Sequence, residues 1–161
     1  MAAFRKRRYE RLGQFWDDVR SVWRMRGEVA GILRGKSLSP AFRERLMLAV
    51  TGVNACRYCT FVHTRAALHS GVAKSELAGL SAGTFDGAPE EECAALVYAQ
   101  HWADTKKCPD PEAVERLNAT YGPEVAARIN ATISFIYLNN LCGNTFDWLL
   151  YKVTFGLVGG S

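Results

Sequence analysis

Apolar residues recur with the period of an α-helix along most of the chain. In the segment 40–53 they fall on one face at Phe42, Leu46, Ala49, Val50 and Val53. The opposite face carries Glu44, Met47, Leu48 and Thr51, so this helix is apolar on much of its circumference and is expected to be buried. Sustained period-two alternation and hairpin turn dipeptides are not found. The pattern predicts an all-α protein of six to eight helices.

Signals for helix starts and ends divide the chain further. A capping side chain or a proline opens a helix at Ser39-Pro40, Pro89 and Asp110-Pro111. Tyr121-Gly122-Pro123 ends one helix and opens the next. We therefore expect helices over 40–53, 72–80 and 89–104. From 123 to about 154 the apolar pattern predicts one central helix, or two joined near 139–143.

The N-terminal segment predicts a basic amphipathic helix. Apolar residues from Phe4 to Trp23 form an arc of about 140°, and many basic residues lie outside it. Residues 1–36 contain ten Lys and Arg against four Asp and Glu. We interpret 1–35 as a helical extension that packs on its own domain or on a neighbouring subunit, and 36–161 as the main domain. Such a helix could also bind a membrane surface or nucleic acid, but the remaining chain offers no basic surface to continue either site, and we expect neither partner.

The composition is that of a globular domain, and without a recognisable targeting or membrane-spanning segment we expect a cytoplasmic protein. Of the 161 residues, 48% are hydrophobic and 22% are charged, which is typical of a soluble globular domain. Neither a signal peptide nor a membrane-spanning segment is recognisable. Five cysteines are present, and only two are closely spaced. In a reducing compartment such a pair indicates redox catalysis or metal binding rather than a structural disulfide.

The closely spaced cysteines lie in the stretch Asn54-Ala-Cys-Arg-Tyr-Cys-Thr-Phe-Val-His63. We interpret it as the start of a helix with Asn54 as the N-cap. Cys56, Cys59 and His63 would then lie within about 60° of one another on one helix face. The imidazole of His63 would be one turn from Cys59, an axial rise of roughly 6 Å, and roughly 10 Å from Cys56.

This arrangement indicates thiol chemistry, because a thiol needs help to become the nucleophilic thiolate near neutral pH. The helix N-terminus would favour an anion at Cys56, whereas His63 could take the proton from Cys59. We favour Cys59 as the attacking sulfur and Cys56 as the one that closes the disulfide, with the reverse order left open. A zinc site made of these three residues with Glu44 is a third reading, but the second ligand pair usual for structural zinc is missing, and we expect no metal.

Glu44 has no oppositely charged residue three or four positions away. A carboxylate on so apolar a helix lies either at a solvent edge or in a site, and position alone leaves both open.

The spacing of Glu44, Cys56, Cys59 and His63 resembles the alkylhydroperoxidase D branch of the carboxymuconolactone decarboxylase family. The resemblance covers roughly residues 36–155. It implies an all-helical fold, assembly into homo-oligomers (often trimers or hexamers) and a site that reduces peroxides without a cofactor. It also implies that Glu44 joins His63 and the thiols in a proton relay. Some relatives have a histidine where this chain has Tyr58, so the relay is one member short or Tyr58 has a modified role.

The sequence thus predicts a thiol-dependent peroxidase or disulfide oxidoreductase. Its catalytic residues would be Cys59, Cys56, His63 and Glu44, with Tyr58 as a further candidate. The substrate would be a hydroperoxide, and a dithiol of the thioredoxin or lipoyl type would supply electrons. The alternatives are a non-catalytic oligomeric redox-sensing or binding protein and the metal site. Lactone decarboxylation is not expected, because that branch of the family lacks the cysteine pair.

Overall fold

The protein is built from helices throughout its described part. The structure, a computed structural model, describes residues 4, 6–35 and 38–158. Within these residues there are seven helices and no strand, which confirms the predicted all-α fold. The helices are α1 (Leu12–Arg24), α2 (Arg26–Leu33), α3 (Pro40–Asn54), α4 (Arg57–His69), α5 (Lys74–Ala82), α6 (Glu90–Asp104) and α7 (Pro111–Val153).

Helix α3 forms the centre of the fold. It begins as predicted, with Pro40 in the first turn and the Ser39 hydroxyl accepting a hydrogen bond from the Phe42 amide at 3.2 Å. Nearly all of its side chains from Phe42 to Thr51 are buried, because α4, α5, α6 and α7 pack around it. A helix enclosed in this way can place a polar side chain such as Glu44 inside the protein.

Helix α7 is long and bends once. Gly122 has φ 75° and ψ 161°, a conformation that favours glycine, and Pro123 follows it. Beyond this kink the helix continues without a break to Val153. The junction considered near 139–143 does not occur, and the second arm of α7 is one continuous rod that packs along α3.

The predicted helix from Phe4 to Trp23 is wrong for the described residues before Leu12, where α1 begins. Residues 6–9, called the N-terminal strap below, run over α7 without forming a helix, and side chains of α7 form hydrogen bonds with their backbone. Helix α1 packs on α7 and α2, but its apolar arc is only partly covered. Its most exposed large apolar side chains are Leu12, Trp16 and Trp23.

The proposed division between 1–35 and 36–161 stays a prediction. Residues 36 and 37, next to that boundary, lie outside the described residues, as do 1–3 and 5. No helix in the described ranges is both long and apolar enough to cross a membrane.

Candidate active site

The chain reverses sharply where α3 meets α4, and this turn places Cys56. Helix α3 ends at Asn54, and Ala55 takes the left-handed conformation (φ 54°, ψ 41°). Cys56 is then the N-cap of α4, and its Sγ accepts a hydrogen bond from the Cys59 amide at 3.4 Å. The prediction that Asn54 caps this helix is therefore wrong. The Asn54 side chain is fully buried and donates a hydrogen bond to the side-chain oxygen of Asn140 in α7. Asn54 is thus the last residue of α3.

The two sulfurs differ in accessibility. Cys56 is completely buried, whereas Cys59, in the first turn of α4, is half-buried, and both are reduced. Gly143 of α7 packs directly on them: a Cβ placed on this glycine would lie 3.0 Å from Cys56 Sγ and 4.0 Å from Cys59 Sγ. Both sulfurs therefore lie beside one point on α7, and a side chain at this point would press on the Cys56 sulfur.

The electrostatics of the thiol pair favour an anion on Cys56. A hydrogen bond from the Cys59 thiol, opposed by burial and supported by the backbone amides of Cys59 and Tyr58 and by the charge of Lys6, lowers the pKa of Cys56 to about 7. The hydrogen bond to Cys56 and burial raise the pKa of Cys59 well above its ordinary value, although the Asn140 side chain opposes this. The pair thus releases its first proton near neutral pH and holds the second tightly.

Glu44 is buried and lies in the site region. Its Oε2 is 2.7 Å from Nδ1 of His63, and its Oε1 is 2.9 Å from a terminal guanidinium nitrogen of Arg43. Burial would raise the pKa of Glu44, but the contacts with His63 and Arg43 outweigh it and lower the pKa below its usual value. The carboxylate is therefore charged near neutral pH. Arg43 was overlooked in the sequence because adjacent residues do not normally face each other on a helix.

His63 is positioned between α3 and the thiol-bearing turn of α4. Its side chain is 19% exposed, and Nδ1 is occupied by Glu44. Among the described residues, no hydrogen bond joins His63 to Cys56 or Cys59. Proton transfer from Cys59 to this imidazole therefore stays a prediction.

Tyr58, the candidate between the cysteines, points towards α7. Its hydroxyl accepts a hydrogen bond from Arg57 at 2.8 Å and donates one to Asp147 at 3.3 Å, and its ring lies 6.4 Å from that of Phe146. Arg57 and Lys6 also pair with Asp147, which is fully buried. The two residues between the cysteines are thereby fixed to α7 through one carboxylate.

Buried asparagines of α7 tie the turn at Cys56 to the rest of the fold. Asn140 donates a hydrogen bond to Thr51 at 3.1 Å and accepts one from Asn54 at 3.2 Å. Asn144 donates to the carbonyl oxygens of Asn54 (2.7 Å) and Arg7 (2.8 Å). Asn139, by contrast, is exposed and bonds only its own helix. Asn140 and Asn144 therefore bridge helices next to the thiols.

Other features contribute less. In the described part of the chain, no group of three or more His, Cys, Asp and Glu side chains is arranged to hold a metal ion. A cavity of about 490 Å³ between α3, α5 and α6 is lined by Gly52, Ser81 and His101 and contains neither thiol. The thiol pair therefore defines the candidate active site, and this cavity is not part of it.

Sequence reasoning missed Gly143, Asp147 and Lys6. Each is far from the cysteines along the chain, and only the packing of α7 and the strap on α4 brings them together. The one available signal was the run of polar residues in an otherwise apolar helix at Asn140, Asn144 and Asp147.

One comparison with known proteins finds a match for this chain. Residues 20–101, just over half of the chain, match the model of the Carboxymuconolactone decarboxylase family. The match contains Glu44 and the stretch from Cys56 to His63, and it begins within α1. No curated protein and no solved structure matches the chain. The match together with the all-helical fold shows that the chain belongs to the carboxymuconolactone decarboxylase family, which includes the alkylhydroperoxidase D-like proteins.

Proposed function

We propose that the protein is a thiol-dependent oxidoreductase that reduces hydroperoxides through a Cys56–Cys59 disulfide. The observation that carries the proposal is the unequal thiol pair: Cys56 is buried and favoured as an anion, and Cys59 is half-buried and hydrogen-bonded to it. The lowered pKa of Cys56 gives the pair as a whole one thiolate near neutral pH, which a purely structural pair of cysteines would not need.

Cys59 is the attacking sulfur in this proposal, because a substrate can reach it and cannot reach Cys56. Passing its proton to the neighbouring thiolate gives Cys59 the negative charge. Its sulfur then bonds to one peroxide oxygen as the O–O bond breaks, which yields a sulfenic acid and an alkoxide that takes up a proton as the alcohol. Two electrons have passed from sulfur to the peroxide.

The second step closes the disulfide. Cys56 loses the proton it accepted, its sulfur attacks the sulfenic sulfur of Cys59, and hydroxide leaves and is protonated to water. Glu44 and His63 form a hydrogen-bonded pair suited to take the proton that Cys56 loses and to give it to the leaving hydroxide. A dithiol reductant then restores both thiols by exchange, so no cofactor takes part.

Replacing each thiol separately tests this order. With hydrogen peroxide and dithiothreitol, Cys56→Ser and Cys59→Ser should both lose multiple turnover. In Cys56→Ser, dimedone should label Cys59 as a trapped sulfenic acid, whereas Cys59→Ser should show no such label. Cys108→Ser, which removes an exposed cysteine elsewhere, should retain wild-type turnover. Turnover in both active-site variants would disprove the proposal, and a label on Cys56 alone would reverse the order.

A redox sensor is the second candidate function, and one observation favours it. The Sγ of Cys56 caps α4, so a disulfide would replace the thiolate acceptor at that helix end by a neutral and weaker one. A sensor would lose two thiols per chain on oxidation yet show no repeated turnover with a dithiol reductant. An enzyme would consume many equivalents of peroxide per chain.

We also propose that the protein forms a homo-oligomer, a trimer or a hexamer. The proposal is supported by large apolar side chains that stay exposed on α4, among them Phe61 (63%) and Val62 (56%). Sedimentation velocity at micromolar concentration tests it, and a monomer at every concentration would contradict it.

A further inference from the structure

The N-terminal strap lies along the second arm of α7 close to the thiol pair. The Arg7 carbonyl accepts a hydrogen bond from Asn144, the Tyr9 amide donates to the Thr145 hydroxyl at 3.0 Å, and the Arg8 guanidinium lies 4.4 Å from the centre of the Trp148 ring. These contacts fix the direction in which Lys6 points. The strap is also outside the part of the chain that matches the family.

Lys6 reaches into the protein from this strap. Its Nζ lies 2.7 Å from Oδ2 of Asp147, and its side chain is only 8% exposed. The other oxygen of Asp147 contacts Arg57, at 2.5 Å, and the Tyr58 hydroxyl. Two cations thus share one carboxylate, which leaves the cluster with one unbalanced positive charge.

Cys56 lies beside this charged cluster. Asp147 follows Gly143 by one helical turn, and the Cβ position of Gly143 is 3.0 Å from Cys56 Sγ. Arg57 and Tyr58 directly follow Cys56 in the chain. The charged and titratable groups near Cys56 are Lys6 from the strap, Arg57, Tyr58, Cys59 and His63 from α4, Glu44 from α3, already paired with Arg43 and His63, and Asp147 from α7.

We propose that Lys6 is a positioning residue for the thiol pair: its buried ammonium, held in place by Asp147, supplies the positive charge that a thiolate on Cys56 balances. With the thiolate formed, two cations face two anions; of the two cations only Lys6 is buried, because the Arg57 side chain is 42% exposed to solvent. A buried cation close to a thiol favours the thiolate because little solvent screens the attraction. The charge of Lys6 accordingly acts to lower the pKa of Cys56.

The proposal rests on the proposed function only in taking the thiol pair as the reactive centre. Its test therefore reads the thiolate directly, as absorbance at 240 nm against pH in the full-length reduced protein, with no substrate. Cys56→Ser supplies the baseline to be subtracted. This readout remains valid even if the protein reduces no peroxide, and a failure here would leave the outcome of the Cys56 and Cys59 variants untouched.

Three variants of the strap separate charge from packing. Lys6→Met removes the charge, keeps most of the side-chain volume and should raise the midpoint of thiolate formation by about 0.5–1 pH unit. Lys6→Arg keeps the charge and should titrate within about 0.2 units of the wild type. Arg8→Met removes a cation of the same strap that pairs with the Trp148 ring, and it should leave the midpoint unchanged.

Asp147→Asn provides a second test, because it should shift the midpoint of thiolate formation in the opposite direction. It removes the negative charge and leaves both cations, so the midpoint should fall, opposite to the change in Lys6→Met. If Lys6 served only to clip the strap, both variants would loosen the same contact and shift the midpoint in the same direction. A wild-type midpoint in Lys6→Met, or equal shifts in Lys6→Met and Lys6→Arg, would overturn the proposal. If Asp147→Asn does not fold, the two Lys6 variants still decide.

Discussion

Oε2 of Glu44 in α3 lies 2.7 Å from Nδ1 of His63 in α4, and this contact links the two helices on either side of the thiol-bearing turn. It orients the imidazole so that its other nitrogen is free of this carboxylate. Glu44, which is buried in the most enclosed helix of the fold, thereby orients His63, whose side chain is partly exposed to solvent.

The Glu44–His63 pair is expected to work as a unit in peroxide reduction. Glu44→Gln and His63→Gln should each lower kcat/KM about 100-fold, because general acid–base catalysis contributes factors of this size. The double variant should be no slower than the slower single variant, because each change alone already breaks the pair. His101→Gln is the matched control, since His101 pairs with Asp110 outside the site and its loss should leave kcat/KM unchanged.

If the loss of kcat/KM in the double variant equalled the product of the two single losses, the two side chains would act independently. Steady-state kinetics with hydrogen peroxide at several pH values provides the measurement.

The thiol pair should give the reduced protein a stability maximum in mildly alkaline solution. In the unfolded chain both cysteines titrate near 9.0, whereas in the folded protein the pKa of Cys56 is about 7 and that of Cys59 is raised. From pH 7 to 9 the unfolded chain binds more protons, so the free energy of unfolding rises with pH, by about 2 kcal/mol. Above 9 the folded protein binds more, because Cys59 keeps its proton, and the free energy of unfolding falls.

Urea unfolding under a phosphine reductant, compared with the Cys56→Ser/Cys59→Ser variant, isolates this contribution. A difference that is constant from pH 6 to 10 would contradict it.

Gly143 is expected to tolerate no side chain. In Gly143→Ala the new methyl group would lie 3.0 Å from Cys56 Sγ, closer than nine in ten such contacts, so the Cys56 sulfur must move by a few tenths of an ångström. Overpacking of about 1–3 kcal/mol should exceed the roughly 1 kcal/mol that alanine gains in a helix, and turnover should fall at least tenfold. Gly27→Ala is the control: it lies in α2 with open space around its Cβ position and should be neutral or stabilising. Unfolding by urea and peroxide turnover are to be measured on both, and wild-type values for Gly143→Ala would refute the close contact.

Asn144 should be essential for stability, whereas Asn139 should not. Asn144→Ala leaves the buried carbonyl of Asn54 and that of Arg7 without their amide donor, which should cost about 2–3 kcal/mol. Asn139→Ala removes only an exposed bond to Phe135 in the same helix and should change stability by less than about 0.5 kcal/mol. Thermal unfolding measures the loss of stability in each variant. Equal losses would mean that the hydrogen bonds of Asn144 between helices do not stabilise the fold.

The sequence was sufficient for the helices and for the residues that are close along the chain. Helical periodicity and start signals predicted α3 and α6 almost to the residue, because proline and capping side chains act locally. The family and the Cys56–Cys59 spacing could also be identified, since both are written in one short stretch.

Features that depend on tertiary packing could not be predicted. Asparagine caps helices well, so the sequence predicts a helix start at Asn54, yet this residue bonds Asn140 and is the last residue of α3. The spacing of Phe4 predicts that the first helix begins there, yet hydrogen bonds with α7 hold the strap in a non-helical form. In both cases a partner more than 80 residues away overrides the local preference.

The uninterrupted second arm of α7 makes the site sensitive to the number of residues in that arm as well as to the identity of those that face the thiols. Asn140, Gly143, Asn144 and Asp147 meet the strap and the cysteine turn because they follow one another at three- and four-residue steps. Deleting a single residue between 124 and 139 would rotate this row by about 100° away from the sulfurs, whereas inserting seven would return it to within about 20°. Insertions and deletions in this part of the chain, which lies outside the family match, are thus tolerated only if they keep the row of side chains facing the sulfurs. This holds although no residue there forms a covalent bond in the proposed reaction.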